Sequence, residues 1–282
     1  MTDIDQKKTG KEETLHIHRE TGAAWDIVAK AGYMGDIESE IEFIDNGGVS
    51  LLGPELRLLE GLETWCHCAL QLQCSGGRDL LSIWNLGAKR IIGLDISETL
   101  IGYAGEKSDA LNAPASWYCC DVLEAPQELD GVADLVYTGR GALMWMIDLE
   151  AWAKVVFRLL KPGGRVLIFE GHPLDNLWER DPDEFCLRSD GASYFSENPA
   201  ENLGFPSSAL KRETKDKVER PLMVERLWRP GQVINALVSA GLEYVHYEEY
   251  PDLFWNQFEN IPKETADLLP HTYAVMMRKG DT

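Results

Sequence analysis

Hydrophobic residues between positions 69 and 170 follow two alternating patterns. Short runs rich in β-branched and aromatic residues predict five strands, namely ALQLQC, RIIGLDI, SWYCCDV, ADLVYT and RVLIFE. Segments with a helical apolar stripe separate several of them, namely GRDLLSIWNLGA, SETLIGYAGEKSDAL and DLEAWAKVVFRLL. Strands that alternate with helices predict an α/β fold, with a mostly parallel sheet, right-handed crossovers and helices on both faces.

The pattern changes on both sides of this core. Residues 1–19 are polar and charged, which is typical of a mobile tail. Residues 171–230 mix aromatic, proline and charged residues, and a long segment of this kind is expected to cover a site. We expect one domain over residues 20–282, composed of a helical cap (20–65), the α/β core (69–170), the covering insertion (171–230) and a C-terminal helix with two strands (231–282).

Charge and cysteine usage narrow the function. The chain has 47 acidic and 27 basic residues and a formal net charge of -20, which disfavours binding to nucleic acid. No apolar run approaches the roughly 18 residues of a membrane span, so we expect a cytoplasmic protein with no membrane partner. The six cysteines lack disulfide spacing and are expected to be buried thiols. No metal is expected, because no second ligand pair follows Cys66, His67 and Cys68.

Candidate chemistry lies at the ends of the predicted strands, where open α/β sheets bind ligands. The first strand runs into the glycine turn CSGGRD, which allows close approach of backbone to a ligand. Asp95 ends the second strand, as an acceptor for two ribose hydroxyls would, and Asp121 and Val122 follow the third strand as partners for an adenine edge. Glycines in YTGRG follow the fourth strand. Each feature alone is weak, but their joint order is much more specific.

These features resemble the class I S-adenosylmethionine (SAM)-dependent methyltransferases over about residues 69–170, and more loosely to Lys279. The LLKPGGRVLIFE segment is especially characteristic. The resemblance implies a Rossmann-like sheet with an antiparallel last strand, SAM as cofactor and S-adenosylhomocysteine as product. It also implies a SAM site made of Gln73, Cys74, Ser75 and Gly77 (methionine part), Asp95 (ribose), Ile96, Asp121 and Val122 (adenine), Thr138 and Gly139 (under the methionyl group). Trp25 and Tyr33 would lie on a helix that closes over SAM, although ordinary packing explains both equally well.

One position departs from the family pattern. Gln71 stands where the family's glycine loop has an acidic residue. The LQC loop, the His172-Pro173 pair and the C-terminal segments WRPGQVINALVSAGL and LPHTYAVMMRK are similar to a subgroup of small-molecule methyltransferases. This likeness favours a small-molecule acceptor with an oxygen or nitrogen nucleophile.

Two residues are candidates for the transfer step itself. His172 follows the fifth strand and is a candidate general base, although it could equally hydrogen-bond a turn. Arg140 follows the fourth strand and could bind an anionic group of the acceptor, although a surface salt bridge is the commoner role of such a residue. Trp145 and Met146 could wall a flat acceptor, but core packing is the simpler reading of their spacing.

Two other functions remain open at this point. A nicotinamide-dependent oxidoreductase would use the same kind of sheet, but the G-x-G-x-x-G turn is missing from CSGGRDL. A non-catalytic SAM-binding or regulatory protein is conceivable because of Gln71. Binding of SAM together with acceptor-dependent formation of S-adenosylhomocysteine distinguishes the three.

Overall fold

A seven-stranded sheet forms the centre of the protein in a computed structural model. The structure describes residues 10–32, 35–179, 183–190, 193–197, 200–203, 222–255 and 258–281. The strands are β1 (Cys68–Leu72), β2 (Arg90–Asp95), β3 (Ala115–Cys119), β4 (Ala133–Gly139), β5 (Leu160–Gly171), β8 (Leu242–Tyr250) and β9 (Thr272–Lys279). They lie in the order β3-β2-β1-β4-β5-β9-β8.

The first five strands run parallel, and β9 runs antiparallel to both β5 and β8. The predicted α/β fold with an antiparallel last strand is therefore confirmed. Every residue of β1 is buried, as expected for a central strand that helices cover on both faces. The order reverses at β1, whose neighbours are β2 and β4, so the carboxyl ends around β1 form the crevice where such sheets bind ligands.

The crossover helices begin where the sequence supplies a cap. They are α5 (Arg78–Asn85), α6 (Glu98–Leu111) and α7 (Leu149–Leu159). The side chains of Ser97 and Asp148 accept hydrogen bonds from the first turns of α6 and α7, as N-cap residues do. Trp152 of α7 is fully buried and belongs to the larger core cluster, which lies between the sheet and α7 and α8. The helix α8 spans Pro230–Ser239.

Four helices precede the sheet. They are α1 (Lys11–Lys30), α2 (Ile37–Asp45), α3 (Gly53–Leu58) and α4 (Leu62–Trp65). The prediction of a mobile tail is wrong for residues 11–19, which form the first half of α1. Thr14, Leu15 and His18 lie on a buried face of this helix, at spacings of about one turn.

The insertion predicted for residues 171–230 is described only in part. It contains the hairpin of β6 (Ala200–Leu203) and β7 (Leu222–Glu225). The strand β7 lies against α1, and Met223 is buried. Just after β7, Arg226 N donates to Met144 O and Trp228 Nε1 donates to Met146 O. The described part of the insertion therefore supports α1 and the segment before α7.

The six cysteines all lie in the described part of the chain, and no disulfide joins them. Cys66, Cys68 and Cys74 are buried, but the expectation of burial is wrong for Cys119 and Cys186, which are exposed. Cys119 ends β3, and Cys186 lies in the insertion, where fewer elements pack. Within the described residues, no helix is long and apolar enough to cross a membrane.

A buried ion pair fixes the segment between β8 and β9, which contains α9 (Lys263–Ala266). His271 Nδ1 lies 2.8 Å from Asp175 Oδ1, and its Nε2 lies 2.9 Å from the Ala266 carbonyl oxygen. Since both partners are acceptors, both ring nitrogens must carry a proton. Burial opposes this charged form, but the hydrogen bond and charge of Asp175 outweigh it, and the pKa of His271 is raised.

We expect His271→Gln to lower the free energy of unfolding by about 3 kcal/mol at pH 6, because it leaves a buried carboxylate without its cation. A histidine whose folded pKa is raised contributes its stability below the unfolded pKa and loses it as pH rises through the folded pKa. The difference between parent and variant, measured by urea unfolding, should therefore shrink from pH 6 to pH 9. An unchanged difference would contradict the charged state of His271.

Candidate active site

A cavity of about 940 Å³ opens at the carboxyl ends of β1, β2 and β4. Its lining comes from the sheet, from α1 and α2, from the segment before α3 and from Phe254, Trp255 and Glu259. Many of the residues predicted for the site from sequence line it, namely Trp25, Gln73, Cys74, Ser75, Asp95, Ile96, Asp121, Val122, Gly139 and Arg140. The volume lies at the upper end of the range for small-molecule sites.

The loop between β1 and α5 forms one wall of the cavity. Gln73 and Ser75 have φ angles of 50° and 49°, in the left-handed region that few residues other than glycine adopt. Such a conformation persists only where surrounding contacts enforce it. Here Gln73 Nε2 donates to the Ala142 carbonyl oxygen at 2.7 Å, and the Cys74 amide donates to Leu94 O at 3.0 Å.

Gly77 does not line the cavity, contrary to the prediction that it wraps the methionine part of SAM. It lies behind the loop as the N-cap of α5, with a φ of 78°. A Cβ atom there would stand 2.6 Å from the Trp117 ring. The glycine is therefore explained by its backbone conformation and by the close approach of Trp117.

Asp95 faces the cavity from the end of β2 and also organises the loop. Its Oδ2 accepts from the Ser75 amide at 2.8 Å, and its Oδ1 accepts from the Ser97 amide at 2.9 Å. Burial raises the pKa of Asp95 to about 6, although these amide hydrogen bonds oppose the shift. The carboxylate thus holds one end of the glycine loop and the start of α6 while keeping contact with the cavity.

Asp121, after β3, is bound by a histidine that the sequence reasoning placed in a mobile tail. His18 Nδ1 donates to Asp121 Oδ2 at 2.8 Å, and the Leu123 amide donates to Oδ1 at 2.8 Å. The Ile147 amide donates to His18 Nε2 at 3.2 Å, which fixes a neutral imidazole protonated on Nδ1. The spacing of Leu15, His18 and Gly22 is the sequence signal that could have identified this helix face.

The helix α1 packs closely against the residues that follow β2 at the edge of the cavity. A Cβ atom on Gly22 would lie 3.0 Å from Ile96, so α1 approaches β2 more closely than another residue would allow. Asp26 Oδ1 accepts from Ser97 Oγ at 2.5 Å and from the Thr99 amide at 3.0 Å. Trp25 lines the cavity. Tyr33 lies outside the described residues.

The end of β4 contributes backbone atoms rather than side chains to the wall of the cavity. Gly139 lines the cavity, and a Cβ atom there would stand 2.3 Å from the Phe169 carbonyl oxygen. Thr138 is fully buried and its hydroxyl lies 3.4 Å from Leu72 O. Thr138 therefore contacts the neighbouring strand β1. It is not among the described residues that line the cavity, although the sequence predicted it for the site.

Arg140 lines the cavity, but its guanidinium is already bound. One terminal nitrogen lies 2.9 Å from Glu55 Oε2 and 2.7 Å from Ser50 O, and the other lies 3.4 Å from Asp79 Oδ1. Burial disfavours the charge of Arg140, but Asp79, Tyr137 and Glu55 outweigh it and its pKa is raised. An anionic acceptor would have to compete with two carboxylates for this side chain.

Glu55 was missed by the sequence reasoning. It is fully buried at the start of α3 and accepts from Tyr137 Oη at 2.5 Å and from the Leu52 amide at 2.7 Å. Burial raises its pKa even though Arg140 opposes the shift. Its place directly after Pro54, as an acidic residue in the first turn of a helix, is the signal that could have found it.

His172 lies away from the cavity, which corrects the prediction that it acts as a general base. The described residues that line the cavity do not include it. Its Nδ1 accepts from the Leu174 amide and its Nε2 lies 3.3 Å from Glu249 Oε1. Burial lowers the pKa of His172, although Glu249 opposes the shift. In this position it caps the turn after β5.

Glu170 is a second buried carboxylate that sequence reasoning missed. At the end of β5, it accepts hydrogen bonds from the amides of Gly141, Ala142 and Leu143 at 2.7 to 3.0 Å. Burial raises the pKa of Glu170 to about 7, against the effect of these amides. Since Gly141 and Ala142 line the cavity, Glu170 sets the position of that wall. Its signal in the sequence is an acidic residue directly after the run RVLIF.

The outer part of the cavity is aromatic. Trp145 and Met146 line it. This agrees with the interpretation that they form a wall of the cavity, which the sequence favoured less than core packing. Trp25 packs edge-on against Trp145, with ring centroids 5.6 Å apart. Phe254 and Trp255, in the segment before α9, complete this side. Residues 171–230 were predicted to cover the site. Within the described part of the chain, α1 and the segment before α9 cover the cavity instead.

Comparison with known proteins identifies a domain and a fold. Residues 69–164 match the family model described as a methyltransferase domain. A search of curated protein sequences returns no match. A structure from Listeria monocytogenes, whose assignment as a SAM-dependent methyltransferase is provisional, is 17% identical with a TM-score of 0.58 and covers 80% of this chain and 96% of its own.

Two further solved structures share the fold. Geranyl diphosphate C-methyltransferase from Streptomyces coelicolor A3(2), solved with Mg²⁺, geranyl-S-thiolodiphosphate and S-adenosylhomocysteine, is 12% identical with a TM-score of 0.54, covering 80% of this chain and 75% of its own. The [4+2]-cyclase SpnF is 14% identical with a TM-score of 0.56, covering 94% and 97% respectively. At these identities, the likeness concerns the fold.

Removing the acceptor at Glu170 should loosen one wall of the cavity. We expect Glu170→Gln to lower the free energy of unfolding by about 2 kcal/mol, because three buried amides lose their charged acceptor. Hydrogen exchange at residues 141–143 should accelerate more than the average for the chain. The matched control is Glu106→Gln, an exposed residue of α6, which should change neither quantity. Unchanged exchange at residues 141–143 in Glu170→Gln would contradict this role.

Proposed function

We propose that the chain is a class I SAM-dependent methyltransferase, and that it transfers the methyl group of SAM to a nitrogen or oxygen atom of a small-molecule acceptor held in this cavity. One observation carries the proposal. Polar groups at the ends of three successive strands, Gln71 of β1, Asp95 of β2 and Asp121 after β3, all line one cavity. This is the arrangement that the family uses to hold its cofactor.

Two buried polar atoms support the fit to SAM. Gln71 Oε1 and Arg140 Nε are buried without a hydrogen-bond partner, and both residues line the cavity. An unpaired acceptor and an unpaired donor match the ammonium and the carboxylate at the amino-acid end of SAM. Buried polar groups are costly unless a partner satisfies them, so a ligand that provides both partners gains affinity. Gln71 thereby replaces the family's acidic residue by a neutral acceptor.

The other cofactor contacts follow from the position of each group. Asp95 would accept from the ribose hydroxyls, and Asp121 with Val122 would meet the adenine edge beside Ile96. Gln73, Cys74, Ser75 and Gly139 would surround the methionyl part. Bound SAM supplies a methyl group already activated by the sulfonium, so the protein chiefly has to orient the acceptor and exclude water.

The carboxylates of the described lining, apart from the exposed Glu259, are already held by amides or by cations. Asp95 and Asp121 are held by amides, and Asp121 is also bound by His18. The aromatic walls formed by Trp25 and Trp145 would position the acceptor and keep water away from the transfer site. We therefore propose that orientation and desolvation carry most of the rate enhancement.

The carboxylate of Asp95 gives the binding of SAM a defined pH dependence. With a pKa raised to about 6, Asp95 becomes protonated as pH falls through that value and loses acceptor capacity for the ribose. We expect the affinity for SAM, measured by calorimetry, to fall about tenfold from pH 8 to pH 5, as one protonation requires.

The variant Asp95→Asn separates this effect from other titrations. It should bind SAM at least tenfold more weakly at pH 8, and the pH-dependent component should disappear. If the variant kept the affinity of the parent, or the same slope with pH, the ribose role of Asp95 would be wrong.

Gln71→Leu tests the unpaired acceptor, because affinity and stability should change in opposite directions. The affinity for SAM should fall about fivefold, the loss of one hydrogen bond. The free energy of unfolding without ligand should stay equal or rise, because a buried acceptor without a partner is replaced by an apolar group of similar size. An unchanged affinity for SAM would remove Gln71 from the cofactor site.

A further inference from the structure

The cavity as a whole combines aromatic walls with an excess of carboxylates, of which Asp95 and Asp121 belong to the proposed cofactor site and Glu259 is exposed. Five aromatic side chains line the cavity, namely Trp25, Phe43, Trp145, Phe254 and Trp255. The described lining also holds five carboxylates against two guanidinium groups, namely Glu40, Asp79, Asp95, Asp121 and Glu259 against Arg78 and Arg140. His18 adds no charge, because its hydrogen bonds fix it as a neutral imidazole.

Both guanidinium groups already have carboxylate partners, and Arg140 Nε is the donor proposed above for the carboxylate of SAM. Arg140 is bound by Glu55 and Asp79, as described above. Arg78 lies 3.5 Å from Glu40, which also binds the buried ammonium of Lys107 at 2.6 Å. An acidic group on the acceptor would therefore have to break an existing ion pair or enter a negative field without a partner.

A cation is favoured by the same surroundings. Electron-rich ring faces attract positive charge, most strongly where water is excluded. The cavity already contains one such contact, since the Arg78 guanidinium lies 5.0 Å from the centroid of Phe43. Glu259 is exposed and lines the cavity, where its charge would attract a cationic ligand on entry.

From these observations we propose that the acceptor is an amine attached to a planar aromatic group, and that it binds as a cation. This inference rests on the proposed methyl transfer and specifies its acceptor. In the transfer, the ammonium first releases a proton to bulk water, and the nitrogen lone pair then forms the new N–C bond. Sulfur keeps the electron pair of the broken S–C bond, which gives S-adenosylhomocysteine and the methylated ammonium.

Three probes of similar shape and different charge test the proposal. Tryptamine is a cation at pH 7.5, tryptophol is neutral and indole-3-acetate is an anion. Each would be titrated calorimetrically into the full-length protein saturated with S-adenosylhomocysteine. We expect tryptamine to bind at least tenfold more tightly than indole-3-acetate, with tryptophol between them. The preference should shrink when KCl is raised from 50 to 500 mM, because salt screens exposed charges.

Two variants separate the contribution of charge from that of aromatic contact. Glu259→Gln should reduce the preference for tryptamine over indole-3-acetate at least twofold, while Glu264→Gln, an exposed residue of α9 outside the lining, should leave it unchanged. Trp145→Leu should weaken the binding of all three probes. The binding of S-adenosylhomocysteine to Glu264→Gln should equal that of the parent, and equal thermal unfolding midpoints of both variants and the parent check that both variants remain folded.

The possible failures are distinguishable. If S-adenosylhomocysteine and SAM both fail to bind, the proposed function fails, and the assignment of the acceptor falls with it. If S-adenosylhomocysteine binds but indole-3-acetate binds as tightly as tryptamine, methyl transfer stands and the cationic acceptor is wrong. The cationic acceptor is also wrong if S-adenosylhomocysteine binds but all three probes have dissociation constants above about 1 mM.

Discussion

The cavity depends on one constraint, which is that buried carboxylates at strand ends must be satisfied by backbone amides. Asp95 accepts from two amides and Glu170 from three, and each carboxylate thereby fixes the loop that follows or faces it. Leaving such a charge unpaired in the interior is far more costly than holding a loop in one conformation. The walls are consequently placed by the ends of the strands, and the sheet's register is transmitted to the site.

The two loops set in this way are also joined to each other. The Gln73 side chain donates to Ala142 O, and Ala142 is one of the residues held by Glu170. A contact made by the loop after β1 therefore affects the position of the loop after β4, on the other side of the point where the strand order reverses. This connection makes the two loops a single unit of structure, in which a change in one loop alters the position of the other.

Periodicity and strand-end residues allowed the sheet and most of the described strand-end lining of the cavity to be predicted, because both depend on local patterns. The positions of Asp95, Asp121 and Gly139 follow from where a strand must end. The N-terminal helix was missed because its first half is polar in composition, and its buried face depends on partners more than 100 residues away. The polar composition of this segment suggests a mobile tail. The burial of His18 is explained only by its hydrogen bond to Asp121, which the sequence pattern does not reveal.

The role of His172 and the availability of Arg140 could not be derived from sequence for a related reason. A residue that follows a strand can turn toward the cavity or away from it, and the choice is made by tertiary partners such as Glu249 or Glu55. Glu55 lies 85 positions from Arg140, a separation over which no periodic signal extends.

The contacts of His18 also bear on the order in which the protein can assemble. Its two partners, Asp121 and Ile147, lie 103 and 129 positions further along the chain. Contacts of such long range form late, because the loop between them must close before they stabilise anything. The helix α1 is therefore expected to dock late, after the parallel core has formed, and the cavity that it lines becomes complete only at that step.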